Sequence, residues 1–195
     1  MTRRLAQLVI SCAVLGVGVG VLLLAGLGSD GYSTLLNGLT MTSGLPFTVV
    51  SVAVAIVFVG LAWTRGVTPG IGTIAQPVVV GLTVDAMLLL PMSENLWVRI
   101  ALLVLAFPIL ALGVAGYLAT DTGAGPTEAA ALAFDPPVAF RWSYSVLQGG
   151  GAAIGWLLGA DVGPGTIAVI FLLGPVVDLL SARVPLLRLP VRNPA

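Results

Sequence analysis

The sequence has no histidine and no lysine, one cysteine, and charged residues at only 8% of its 195 positions. Each shortage closes off a kind of chemistry. Without histidine, and with a lone thiol, the usual ligand sets for zinc, haem and iron–sulfur clusters cannot be assembled, so neither a metal nor a cofactor is expected. A Ser-His-Asp arrangement is ruled out as well. Only Asp, Glu, Ser, Thr and Tyr remain for chemistry, and the chain is read as not an enzyme. Cys12 has no partner for an intramolecular disulfide. Eight arginines balance eight acids, giving a formal net charge of zero, which argues against a nucleic-acid partner.

What the sequence has is apolar bulk. Hydrophobic residues make up 58% of it. A soluble domain would carry roughly 25% charged residues, and several runs here approach the roughly 20 apolar residues needed to cross a bilayer. The composition predicts an all-α polytopic protein of the bacterial inner membrane, with the lipid bilayer as its main partner. The start, MTRRLAQLVISCAVLGVGVG, also has the form of a signal peptide. Arg3-Arg4 suggests a twin-arginine signal and Val9-Ile10-Ser11-Cys12 a lipoprotein site, although the apolar stretch before Cys12 is too short for the latter.

An internal repeat argues against all three. Residues 70–85, GIGTIAQPVVVGLTVD, and residues 163–178, GPGTIAVIFLLGPVVD, agree at eight of sixteen positions without a gap. Gly70, Gly72, Thr73, Gly81 and Asp85 meet Gly163, Gly165, Thr166, Gly174 and Asp178 at an offset of 93. Upstream, at an offset of 95, Arg4 meets Arg99, Gly18 meets Gly113, Gly28 meets Gly123 and Gly60 meets Gly155. The chain therefore reads as one transmembrane domain over 1–195, with a first repeat at 1–95, a second at 96–182 and a basic, proline-broken cytoplasmic tail at 183–195. The first apolar run corresponds to the internal run 96–120 and is expected to be a retained helix.

Each repeat has the same plan: a long helix (5–27, 97–119), a glycine-rich corner with a short segment (28–45, 121–140), a second long helix (46–63, 141–159) and a third (71–90, 165–182). The short segment GYSTLLNGLTMTSG would extend roughly 21 Å as helix against about 30 Å of hydrocarbon. It reads as re-entrant or as a half-helix, as does its Pro136-Pro137-containing counterpart. Each repeat then crosses three times, and the second lies upside down relative to the first, an inverted repeat. Six spans leave only Arg99 outside; eight would leave only Arg65 outside, so the positive-inside rule scores the two equally. Segment length favours six, and both versions put the termini in the cytoplasm.

Four acids stand out. Asp85 and Asp178 lie about two-thirds along their helices, each four residues after a glycine (Gly81, Gly174) that would let another helix approach. One reading makes them proton- or cation-coupling groups turned into the bundle; the other makes each a carboxylate that hydrogen-bonds a neighbouring backbone. The corners supply the other two. Gly123-Ala124-Gly125-Pro126-Thr127-Glu128 reads as a helix start with Gly125 as cap, Pro126 in the first turn and Glu128 reaching back to the cap amide. The first corner, Gly28-Ser29-Asp30-Gly31-Tyr32-Ser33, lacks the proline and the glutamate. A half-helix start at membrane depth could receive an anionic group, or be a plain cap. Gly16-x3-Gly20 and Gly151-x3-Gly155-x3-Gly159 read as packing seams, and Pro77, Pro108 and Pro175 as kinks.

The duplicated corner and Gly-Ile-Gly-Thr element resemble the YczE/YitT-like family of small bacterial membrane proteins over nearly the whole chain. The family's Gly-x-Gly-Pro-x-acid corner matches Gly123, Gly125, Pro126 and Glu128; the first repeat departs from it with Gly31 and Ser33. The resemblance implies a multi-pass membrane protein and no particular substrate. Two functions follow as expectations: a secondary transporter or exporter of an unidentified small molecule, or an accessory or scaffold protein whose glycine seams hold a membrane partner or a second copy.

Overall fold

The computed structural model describes residues 2–135, 137–184 and 187. Its described residues form eight helices: α1 (Thr2–Ala25), α2 (Gly31–Ser43), α3 (Phe47–Thr64), α4 (Ile71–Met87), α5 (Leu96–Leu118), α6 (Pro126–Leu132), α7 (Phe140–Leu157) and α8 (Pro164–Arg183). There is no strand among them. Four helices, α1, α3, α5 and α8, are long and apolar enough to cross a membrane. Helix α4 has 17 residues and α7 has 18, the latter diluted by Ser143, Gln148 and four glycines. All six long helices and both short segments fall where the sequence pattern places them, within a few residues. The expected tail, apart from Arg183, Val184 and Leu187, and Pro136 lie outside the described residues.

The element boundaries have local causes. Asp30 caps α2 by accepting from the Ser33 amide at 3.0 Å. Gly44 ends α2 at φ 69°, a left-handed conformation that favours glycine, with its amide on Thr40. Gly125 caps α6 and Pro126 takes the first turn, as the corner motif predicts.

Small residues set the packing. Helix α1 is the central element, with 72% of its apolar window buried against 28% for each of the other three. It runs antiparallel to α5. A Cβ on Gly18 would lie 2.9 Å from Leu110, and one on Gly113 would lie 2.5 Å from Leu15, so the backbones meet only because side chains are missing. At opposite ends of this pair, Gln7 donates to the Gly116 carbonyl and Arg99 Nε donates to the Ala25 carbonyl at 2.7 Å. Gly16 and Gly20 seat Thr83 and Met87 of α4, which runs parallel to α1. Ala111 and Ala115 of α5 pack with Val177 of α8 in the same sense. Gly31 and Gly38 of α2 lie on Gln148 and Gly155 of α7, while Ala129 and Ala133 carry α6 onto Ala62 of α3. Both glycine seams are thus used inside the chain. Gly159 is not part of its seam, because α7 ends at Leu157.

Candidate functional site

The repeated motif turns out to join the two halves of the chain. The amide of Gly72 donates to the Thr122 carbonyl at 2.9 Å, and the amide of Gly165 donates to the Leu27 carbonyl at 2.8 Å. Thr73 Oγ1 accepts from the Gly70 amide at 3.1 Å and donates to the Ala124 carbonyl at 2.7 Å. Thr166 Oγ1 accepts from the Gly163 amide at 3.4 Å. Each Gly-x-Gly-Thr helix start therefore grips the corner in the other half. The corners share a backbone shape: Gly26 and Asp121 have φ of 59° and 51°, Gly28 and Gly123 of 97° and 123°. No side chain fits where they meet, since a Cβ on Gly70 would lie 2.1 Å from the Thr122 carbonyl oxygen and one on Gly28 2.6 Å from the Gly163 amide nitrogen.

Behind these two clasps the short helices open onto a polar interior. Asp30 at the start of α2 and Glu128 in the first turn of α6 are both partly buried. Glu128 does not cap Gly125 as its spacing suggests. It accepts from the hydroxyl of Tyr117 on α5 at 3.2 Å. Gln148 of α7 accepts from the Tyr32 amide at 2.9 Å and donates to the Tyr144 hydroxyl at 2.8 Å. Ser29 and Thr34 share a 2.8 Å hydrogen bond. Two buried polar atoms on α4 and α7, Gln76 Oε1 and Ser143 Oγ, have no hydrogen-bond partner among the described residues. Neither carboxylate has an arginine partner among the described residues. A recess beside Gly28, Ser29, Asn37 and Asp161 has room for about one water.

The other acid pair does not belong to this layer. Asp85 accepts from the Phe47 amide at 2.7 Å, from the Thr48 amide at 3.0 Å and from the Thr48 hydroxyl. It is the cap of α3, supplied from the next helix, which is the backbone-bonding reading of the sequence. Gly81 serves as expected, since a Cβ there would lie 2.7 Å from Thr48 Cα. Asp178 corrects the expectation of an inward-facing pair: it is exposed and makes no hydrogen bond among the described residues. Gly174 has no atom near the space a Cβ would fill, so no helix approaches it. The physical reason is that α7 packs on α2 and α6 and leaves α8 bare on that side. Sequence reasoning passed over Tyr32, Tyr117, Tyr144, Gln76 and Gln148. Their signal was the one used for the aspartates, a polar side chain within an otherwise apolar run.

Apolar helices of membrane length around a buried polar layer define a helical, multi-pass membrane protein. The chain belongs to DUF6198, a family of unknown function whose sequence pattern matches residues 2–182. It is similar to an uncharacterized protein of Haemophilus influenzae, 26% identical over 194 residues that cover 94% of this chain and 87% of that one. No solved structure matches it.

Proposed function

We propose that this protein is a secondary transporter of a small molecule, built from two inverted repeats that cross the inner membrane three times each, with both termini in the cytoplasm. The inverted arrangement is supported by reciprocity. Gly18 meets Leu110 while Gly113 meets Leu15, and the repeat offset of 95 exchanges the two contacts. Such exchange is the mark of a two-fold relation, and because α1 and α5 are antiparallel its axis lies across them. The two clasps obey the same exchange.

The observation that carries transport is the pair Asp30 and Glu128. They are two partly buried carboxylates on half-helix starts at corresponding corners, with no basic side chain paired to either among the described residues. Ionisable groups held at membrane depth mark ion and substrate pathways more often than they stabilise. Three tyrosines around them favour a solute of positive charge, or one moved together with protons.

The test is transport by purified protein in liposomes loaded with a pH-sensitive dye. A panel of small amines and monovalent cations is added under an imposed pH gradient. At least one should collapse the gradient, and Asp30→Asn and Glu128→Gln should each abolish the effect without loss of the folded protein. If no compound acts while the protein co-purifies with a single membrane partner, the accessory reading replaces this one. The close packing of the interior is the observation that keeps that reading in view.

A further inference from the structure

The two halves pack alike at the clasps and along α1–α4 and α5–α8, and α2 on α7 answers α6 on α3. They differ at one place. In the first half, α3 lies along α4, Gly81 receives Thr48, and Asp85 holds the amides of Phe47 and Thr48 together with the Thr48 hydroxyl. In the second half, α7 stands away from α8. Gly174 faces open space, as do Gly149 and Gly150, and Asp178 is exposed. The start of α7 makes do with local partners. The Phe140 amide donates to Asp135 at 3.3 Å, and the Arg141 guanidinium lies over the Trp142 ring, 5.4 Å from its centroid.

We propose that α7 closes on α8 as α3 is already closed on α4, carrying the amides of Phe140 and Arg141 and the Arg141 guanidinium onto Asp178. The parts for the closed state are present in the sequence. Helices α3 and α7 start at Phe47 and Phe140, which sets Thr48 level with Arg141, and the offset of 93 in the repeated motif carries Gly81 and Asp85 onto Gly174 and Asp178. The glycine that admits the crossing helix is kept, and so is the carboxylate that caps it. Where the first half has a threonine hydroxyl on the carboxylate, the second has an arginine, which makes a stronger charge-assisted bond. The open arrangement also leaves a carboxylate without a partner among the described residues on a helix of membrane length, a costly placement that closure relieves. This inference rests on comparing the two halves and holds whether or not a solute is carried. Should transport be established, the closure is the second conformation that alternating access requires.

Cross-linking in native membranes tests it. In a Cys12→Ala background, the control pair Thr48→Cys with Gly81→Cys should oxidise to completion, because the Cβ positions lie 3.2 Å apart, near the spacing of about 3.8 Å in disulfides. The pair Arg141→Cys with Gly174→Cys is apart in the open arrangement. Closure predicts that it too becomes protected from a maleimide mass tag. Adding Asp178→Asn should slow that protection by about fivefold, the factor worth roughly one such contact. Arg141→Cys removes the guanidinium, so a second pair that stays reactive while the control closes shows that the two amides alone do not hold α7 on α8. The proposal then fails if the spin-label distances below, measured with Arg141 in place, show no short population. Should either cysteine pair prevent insertion, spin labels at the exposed positions Val146 and Leu172 give the same decision. Two distance populations, the shorter depleted by Asp178→Asn, are expected; a single long distance overturns the closure.

Discussion

Replacing Asp85 and Asp178 in turn separates two carboxylates that the sequence presents as equals. Asp85 accepts three hydrogen bonds at the start of α3, two from backbone amides and one from a hydroxyl. Phe47, whose amide is the nearer of the two amide donors, is only 1% exposed, so water cannot readily take over. Loss of a helix cap costs about 0.5–2 kcal/mol, and hydrogen bonds to a charged acceptor contribute about 1.5–3 kcal/mol each. Because Thr48 is only partly buried and can be rehydrated, Asp85→Ala should cost about 2–4 kcal/mol rather than the full sum. Asp85→Asn keeps one acceptor oxygen but turns an N–H toward a donor, and should cost about half as much. For a chain of this size, each kcal/mol shifts the melting midpoint by about 2–4 °C. Asp85→Ala should therefore melt roughly 4–16 °C below wild type in detergent. Asp178 makes no hydrogen bond among the described residues, and Asp178→Ala should remain within about 0.5 kcal/mol. The assay is thermal unfolding of purified variants in one detergent, followed by circular dichroism and by loss of monodisperse protein. Equal shifts for the two alanine variants, or none at Asp85, would refute the assignment of Asp85 as the cap of α3.

The clasp predicts a contrast among glycines. Gly70→Ala and Gly165→Ala place a Cβ 2.1 Å and 2.5 Å from backbone carbonyl oxygens of the opposite corner and should each lose about 1–3 kcal/mol. Gly60→Ala, on an open face inside α3, should gain about 0.5–1 kcal/mol; denaturant unfolding of the three variants checks the order. For topology, a single cysteine at the exposed Glu94 should react with an impermeant maleimide in intact cells and one at the exposed Arg65 should not. The reverse pattern would establish eight spans.

Much of the architecture was legible because membrane insertion imposes simple demands. A helix that crosses lipid needs length and apolar side chains, and the chain states both openly. The 13 residues of α2 and the 7 of α6 are too few to cross, which is why their shortness could be read directly. The recurrence of the Gly-x-Gly-Thr pattern in the sequence pointed to the same boundaries a second time. The corner chemistry was also local: Gly125 and Pro126 start α6 as their spacing predicts, and Asp30 caps the turn that follows it.

What sequence could not supply was the identity of partners distant along the chain. Gly-Ile-Gly-Thr is visible as a motif, but its partner is the corner of the other repeat, 50 residues away at Thr122. Glu128 has the spacing of a capping residue, yet the Tyr117 hydroxyl reaches it from another helix. The clearest case is Gly81-x3-Asp85 beside Gly174-x3-Asp178, near copies with different fates. A carboxylate is a cap only when a helix start lies against it. Helix α3 lies on α4, while α7 is drawn to α2 by the glycines at 31, 38, 151 and 155. Which of two identical side chains finds a partner was decided by where a third helix packs, and that placement is a property of the assembled bundle rather than of either segment.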